Sequence, residues 1–150
     1  MSKGFLKLQC MNSRCGIHTR IYITHCSAKK EPSLENTSRQ VTPDVLYTAR
    51  ILRGFIKKCK ETGVQWAIFS DKYGVWFPNE KHEWYEKDPD TVTEEEFRQL
   101  LKNFQERLSD YDEIHFYYNP GRFHPLYKRL TKNAIIKGKL TLFSHKDEIK

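Results

Sequence analysis

Residues 21–30 read IYITHCSAKK, a strand-like run of five residues that is followed directly by a polar turn. Isoleucine, tyrosine and threonine favour extended backbone, so the run predicts a β-strand. Three further runs rich in β-branched and aromatic residues, at 64–69, 113–118 and 139–143, predict three more strands.

Helical patterns separate these four strands. Thr42 is suited to be the N-cap of the first helix, which continues as an apolar face until Gly63 ends it. Thr93 and Glu96 form a capping box at the start of the second helix. A third, shorter helix is predicted over about 125–132.

The alternation of strands and helices is typical of βαβ units, whose right-handed crossovers build a parallel sheet with helices on both faces. We therefore predict one α/β domain over residues 20–150, a three-layer α/β/α architecture with a mainly parallel sheet of four to five strands. Residues 1–19 are predicted to be an N-terminal extension or an edge strand. Ligands of such sheets bind beyond the carboxyl ends of the strands, which places function in the loops 26–41, 70–92 and 119–124.

The 150 residues include 26 Lys and Arg against 19 Asp and Glu, which gives a formal net charge of +7. No apolar run approaches the roughly 20 residues of a membrane span, so we expect no membrane contact and a cytoplasmic protein. The four cysteines lie within the first 60 residues and are expected to be reduced.

Charge is unevenly distributed along the chain. Residues 1–60 contain 12 basic and 3 acidic residues and residues 119–150 contain 8 and 2, whereas residues 61–118 contain 6 and 14. If the fold brings the two basic ends together, they form a positive face suited to phosphate. The alternative is a generally solvated surface.

The first loop, CSAKK at residues 26–30, combines small side chains, a hydroxyl and two ammonium groups at the end of a strand. This combination suits an anion, but the glycines of a P-loop are missing and no GxGxxG motif occurs, so we expect no cofactor. The alternative is a pair of solvated lysines on a surface turn. The predicted binding residues of this loop are Cys26, Ser27, Lys29 and Lys30.

The second loop begins with SDKYGVWFP at residues 70–78, where polar groups precede a glycine that can adopt positive φ and an apolar lid. Exposed aromatic rings beside cations are typical of surfaces that stack bases or bind ribose. The alternative is a hydrophobic cluster beneath a long loop. The predicted site residues here are Ser70, Asp71, Lys72, Tyr73, Gly74 and, further along, Tyr85.

The third loop, NPGRFHP at residues 119–125, is a turn followed by a helix start. Asn119 offers an amide, Arg122 a guanidinium group that fits phosphate or carboxylate, and His124 a ring that titrates near neutrality. A helix cap or a surface position is the alternative role for His124.

Cysteine and histidine also form an incomplete metal-binding pattern, C-x4-C-x2-H-x7-C, made by Cys10, Cys15, His18 and Cys26. Structural zinc sites usually repeat a pair of closely spaced ligands, and only half of that pattern is present. We therefore expect no metal and keep a zinc-dependent hydrolase as a minor alternative. Another is Cys26 as a nucleophile, because neighbouring lysines favour the thiolate.

The loop motifs also carry a family resemblance. They are CSAKK at 26–30, LYT at 46–48 near a helix start, and FSDKYGV at 69–75 with Pro78 and Tyr85 downstream. Together they resemble a family of uncharacterised bacterial, archaeal and phage domains, which in turn look like the peroxide-stress protein family YaaA and a domain of archaeosine transglycosylase relatives. The resemblance covers about residues 20–145 and implies an α/β domain near nucleic-acid metabolism, distantly akin to uracil-DNA glycosylases. The water-activating Gly-x-Asp-Pro motif of those glycosylases is absent from this chain.

We therefore expect a domain that binds a nucleotide or a nucleic-acid segment and acts on an N-glycosidic bond or a modified base. The phosphate would be held by Ser27, Lys29, Lys30 and Arg122, the base or sugar walled by Tyr47, Tyr73 and Tyr85, and its polar edge fixed by Ser70 and Asn119. Asp71 or His124 would transfer protons or position water. The second hypothesis is a nucleic-acid-binding module without catalysis, whose basic ends bind the backbone while its aromatic residues stack bases.

Overall fold

The computed structural model describes residues 17–150. The predicted extension or edge strand over 1–19 lies, apart from its last three residues, outside the described residues, and so do Cys10 and Cys15. Within the described range the chain forms one α/β domain with a single five-stranded sheet, which confirms the predicted fold class. No helix of that range combines the length and the apolar character that crossing a membrane requires.

The sheet consists of four parallel strands and one antiparallel strand. The strands are β1 (Arg20–His25), β2 (Trp66–Ser70), β3 (Gly74–Trp76), β4 (Glu113–Tyr117) and β5 (Lys139–Phe143). Their spatial order is β3-β2-β1-β4-β5, and β3 is the antiparallel member, paired with β2. β1, which was predicted from the run at residues 21–25, is therefore the central strand of the sheet.

Four α-helices accompany the sheet: α1 (Pro43–Leu46), α2 (Arg50–Thr62), α3 (Glu94–Arg107) and α4 (Pro125–Asn133). The ring of Phe55 in α2 stacks on Tyr117, while Phe104 in α3 contacts Phe116. Neighbouring residues of a strand point to opposite faces, so α2 and α3 cover opposite faces of the sheet. The architecture is the predicted three-layer one.

The first predicted helix is interrupted, so the expectation of one helix from Thr42 to Gly63 is wrong. Residues 47–49 are extended, because the backbone here pairs with the first loop: the Glu31 amide donates to Leu46 O at 2.8 Å and the Thr48 amide donates to Lys29 O at 3.1 Å. Gly63 ends α2 in the left-handed conformation, as predicted. The sequence shows an uninterrupted helical spacing of apolar residues because Leu46 and Ala49, on either side of the break, both face the core.

The predicted apolar lid after Gly74 is a strand. The φ of Gly74 is 78°, and Val75 and Trp76 then pair with β2 in an antiparallel hairpin and are buried. Three strand residues in a loop that also contains glycine and proline are too few for a period-two pattern to be recognised. The antiparallel edge strand was therefore not predicted.

The connections from the two central strands, β1 and β4, lead toward opposite edges of the sheet. From β1 the chain crosses through α2 to β2 on one side, and from β4 it crosses through α4 to β5 on the other. In open α/β sheets, a ligand usually binds in the crevice between two adjacent strands whose connections lead to opposite sides. Here the crevice is bordered by the loops that follow β1 and β4.

Candidate functional site

The loops that follow β1 and β2 meet at a contact between Cys26 and Asp71. The Asp71 amide donates to Cys26 Sγ at 3.4 Å, and the thiol lies 3.5 Å from Asp71 Oδ1. The Tyr127 hydroxyl, on α4, lies 3.3 Å from the same sulfur. Because the thiol proton is directed at the carboxylate, we infer that the Tyr127 hydroxyl donates to the sulfur.

Asp71 is only 4% exposed. Burial raises the pKa of its carboxyl group, against the opposing effects of the Cys26 thiol and the positive charge of Lys30. A carboxylate that is held in a desolvated position with a thiol as its hydrogen-bond partner is costly to the fold, and such groups are concentrated at functional sites.

Cys26 does not have the properties of a nucleophile. Burial raises the pKa of its thiol to about 11, and the negative charge of Asp71 acts in the same direction. The fraction of thiolate at neutral pH is therefore very small. Cys26 acts here as a neutral donor beneath Asp71.

A small cavity of about 150 Å³ lies against this cluster. Polar groups from all three predicted loops reach it, along with the last residue of β1 and a tyrosine from α4. They include His25, Ser27, Lys30, Asp71, Lys87, His124 and Tyr127.

His25 was missed by sequence reasoning, although it is the last residue of β1. Its ring stacks on Tyr127 with centroids 4.3 Å apart, and Nδ1 donates to Cys26 O at 2.8 Å. Burial lowers the pKa of His25, and the neighbouring His124 also lowers it. The ring is therefore neutral, with Nε2 left as an acceptor.

His124 is the N-cap of α4. Its Nδ1 accepts from the Leu126 amide at 2.9 Å, so the proton lies on Nε2, which donates to Asp90 at 2.7 Å. Both ring nitrogens are occupied by hydrogen bonds in this structure. The ring nonetheless borders the same cavity as Asp71.

The lysines of the first loop have different surroundings. Lys29 is exposed. Lys30 is buried, its backbone pairs with that of Tyr47, and its ammonium lies 4.4 Å from the centroid of the Tyr85 ring. Lys30 thus supplies positive charge from within the wall of the site.

Tyr47, Ser70 and Tyr85 form a buried chain of hydroxyl groups. The hydroxyls of Tyr47 and Tyr85 are 2.5 Å apart, and Ser70 Oγ donates to Tyr85 at 3.1 Å. Ser70 Oγ also accepts from the amides of Lys72 and Tyr73 at 3.0 Å, which fixes the turn after β2. Tyr47 is 0% exposed, so it acts on a ligand only through its neighbours.

Tyr73 and Lys72 border a larger cavity of about 590 Å³ on the other side of Asp71. Tyr73 stacks on His82 with centroids 4.0 Å apart, and its hydroxyl donates to Glu83 O. The lining is mixed in charge, with Lys72, Lys87 and Lys102 beside Asp71, Glu86, Glu96 and Glu106. Gly74 is buried in β3 and lines none of the three cavities described here.

Asn119 and Arg122 belong to a third cavity, of about 400 Å³, in the crevice between β1 and β4. Ser27 and Arg50 border it too. Arg50 was missed because the sequence placed it inside a continuous helix, where nothing marks it as the start of one. The three loops therefore adjoin as predicted, and the space between them is divided into two cavities that share His25, Cys26 and Ser27.

The zinc alternative does not agree with the geometry. His18 precedes β1 and Cys26 follows it, so the six residues of β1 separate them by roughly 20 Å. His18 instead contacts Glu113 and Asp112. Over residues 17–150, no group of three or more His, Cys, Asp or Glu side chains is arranged to hold a metal ion.

The architecture and the site define an α/β domain with a polar, ligand-sized crevice at the carboxyl ends of its strands. Comparison with known proteins finds no matching family model, no matching curated protein and no matching solved structure.

Proposed function

We propose that this domain binds a nucleotide or a nucleic-acid segment at the carboxyl ends of its strands and acts on an N-glycosidic bond. The observation that carries the proposal is the buried carboxyl group of Asp71. Asp71 borders the cavities of about 590 Å³ and about 150 Å³. The neighbouring loop after β1 borders the third cavity, which is also lined by Arg50 and Arg122.

Burial of Asp71 suits the chemistry of glycosidic bond cleavage. The sugar gains positive charge as the bond to the base breaks, in an oxocarbenium-like transition state. A desolvated carboxylate is poorly stabilised before the reaction and becomes paired as this charge develops. Such an interaction is stronger in the transition state than in the ground state, which is the condition for catalysis.

Asp71 is better placed for this role than His124. The His124 ring donates to Asp90 and caps α4, so a proton transfer through it would first require one of these bonds to break. We assign Asp71 to stabilisation of the sugar cation or to positioning of the attacking group. His124 is assigned to positioning α4 and the wall of the cavity.

Base release is the direct test. Purified protein would be incubated with a panel of ribo- and deoxyribonucleosides, their 5′-monophosphates and single-stranded oligonucleotides, and free base would be measured by chromatography. We expect release from at least one member of the panel and a loss of at least 100-fold in Asp71→Asn. Asp110→Asn, which changes an exposed carboxylate in the same way, should retain full activity.

Equal release by wild type and Asp71→Asn would remove the proposed role of Asp71. Binding of a panel member with no release by the wild type would instead favour the module without catalysis.

A further inference from the structure

The cavity of about 400 Å³ between β1 and β4 has features that the glycosidic chemistry does not use. It lies between the first turn of α2 and the turn at Pro120–Arg122. We propose that it is a phosphate subsite, so that the ligand of the neighbouring Asp71 site is a phosphorylated nucleoside. The assignment of the nucleoside rests on the proposed function, whereas the phosphate subsite rests on the observations below.

The N-terminus of α2 opens into this cavity. Ala49, Arg50, Ile51 and Leu52 all border it, and the N-cap residue Ala49 has no side-chain acceptor. The first amides of a helix have no partner within the helix, and together with the helix dipole they attract an anion. By contrast, α3 is closed by its own capping box at Thr93 and Glu96.

An unpartnered hydroxyl points to the same ligand. Ser27 Oγ has less than 1 Å² exposed and has no hydrogen-bond partner among the described residues. Ser27 borders both the 400 Å³ cavity and the smaller one at Asp71. A buried hydroxyl without a partner carries a desolvation cost, which rotation of the Ser27 side chain to donate to a phosphate oxygen would remove.

Charge distinguishes this cavity from the others. Arg50 and Arg122 border it, and none of the residues that line it within the described range is acidic. Asn119 Oδ1 accepts from the Gly121 amide at 3.0 Å, which leaves its NH₂ group as a donor. The 590 Å³ cavity, in contrast, combines lysines with four carboxylates. Two guanidinium groups, an amide donor, a hydroxyl and free helix amides together match a phosphate group.

The position of this subsite defines the ligand further. His25, Cys26 and Ser27 form the wall shared by the phosphate cavity and the Asp71 cavity. A phosphate in one cavity and a sugar in the adjacent one would match a phosphorylated nucleoside. Its phosphate has two possible sources, a free mononucleotide or the backbone of a nucleic-acid strand.

Binding would be measured by calorimetry and by NMR amide shifts with four probes: inorganic phosphate, adenosine, adenosine 5′-monophosphate and a thymidine oligonucleotide without terminal phosphates. We expect inorganic phosphate to shift the amides of residues 50–52, and the monophosphate to bind at least tenfold more tightly than adenosine. Arg50→Gln and Arg122→Gln should each weaken binding about tenfold. Arg53→Gln, the same change one turn further along α2 and bordering a different cavity, should not.

Ala49→Asp separates binding from folding. A carboxylate at the N-cap would accept from the first amides of α2 and occupy the place of the anion, so phosphate binding should be lost in a variant that thermal melting shows to be folded. Phosphate binding that persists in Ala49→Asp, an unchanged affinity in Arg50→Gln, or the absence of binding by all phosphate-bearing probes would overturn the proposal.

The same probes identify the source of the phosphate. Tighter binding of the oligonucleotide with a steep salt dependence indicates a strand, and preference for the monophosphate indicates a free nucleotide. Asp71→Asn should retain phosphate binding, so failure of the glycosidic chemistry and failure of the subsite are distinguishable.

Discussion

Cys26 and Asp71 lie 45 residues apart in the chain and contact each other twice, through the Asp71 amide at 3.4 Å and the Asp71 carboxylate at 3.5 Å from the same sulfur. The double contact joins the ends of two adjacent strands. The carboxylate beside this sulfur belongs to a residue that is only 4% exposed. The site is therefore built around a group whose charged form the fold disfavours.

Asp71→Asn should stabilise the folded protein at neutral pH. Burial raises the pKa of Asp71 in the folded state, so its ionised form at pH 7 costs stability that a neutral amide does not. We expect a gain of about 1 kcal/mol in the free energy of unfolding. The gain should shrink as the pH falls below the folded-state pKa, because the wild-type carboxyl group then becomes neutral as well.

Urea denaturation between pH 4 and pH 7 would measure this, with Asp110→Asn as the exposed control. A destabilised Asp71→Asn at pH 7 would contradict the expectation.

Tyr85→Phe should cost more than the double change Tyr47→Phe with Tyr85→Phe. The single change leaves the buried hydroxyls of Tyr47 and Ser70 without their shared partner, at about 1–3 kcal/mol, whereas the double change also removes the Tyr47 hydroxyl. Chemical denaturation of both variants tests this. Tyr73→Phe, whose hydroxyl is bonded at an exposed position, is the control and should change stability little. Equal losses in the single and double variants would argue against a shared hydroxyl chain.

The role of His124 as a cap predicts which replacement is tolerated. His124→Ala should lose about 1 kcal/mol, because the Leu126 amide at the start of α4 loses its acceptor. His124→Asn keeps a side-chain acceptor and should retain both stability and base release. Thermal melting would measure the stability of both variants, and the chromatographic assay would measure their base release. A folded His124→Asn that releases no base would restore His124 as a proton-transfer residue.

Gly74→Ala should destabilise the protein more than Gly63→Ala. Both glycines have a φ near +78°, so each alanine carries a backbone cost of about 1–2 kcal/mol. A methyl group at Gly74 would also overlap the side-chain amide of Asn103, which binds Val75 N, whereas no atom lies within 4 Å of one at Gly63. The additional loss is expected to be about 1–3 kcal/mol in denaturant unfolding. Similar losses in the two variants would show that Asn103 moves aside.

The elements whose signals are local could be predicted from the sequence. The capping box at Thr93 and Glu96 and the helix end at Gly63 depend on side chains within a few residues of each other, and both are present. The mainly parallel sheet also followed from the alternation of strands and helices. These features need no knowledge of which distant segments meet.

The remainder depends on contacts between distant segments. The break before α2 is imposed by pairing with residues 29–31, which helical periodicity does not register. Arg50 became a site residue only because of that break, and Tyr127 only because α4 places its hydroxyl beside Cys26. The sequence could predict that these loops adjoin, but not how the space between them is divided into cavities.

The interruption between α1 and α2 relocates an electrostatic feature of the fold. In an unbroken helix that began after Thr42, the positive end of the peptide dipoles would lie seven residues earlier, about 10 Å from Arg50. Pairing with the first loop moves that end to the crevice. The anion selectivity that we propose for the crevice would thus be set by a backbone pairing, and a substitution at 47–49 that restored a continuous helix would abolish it without altering any charged residue.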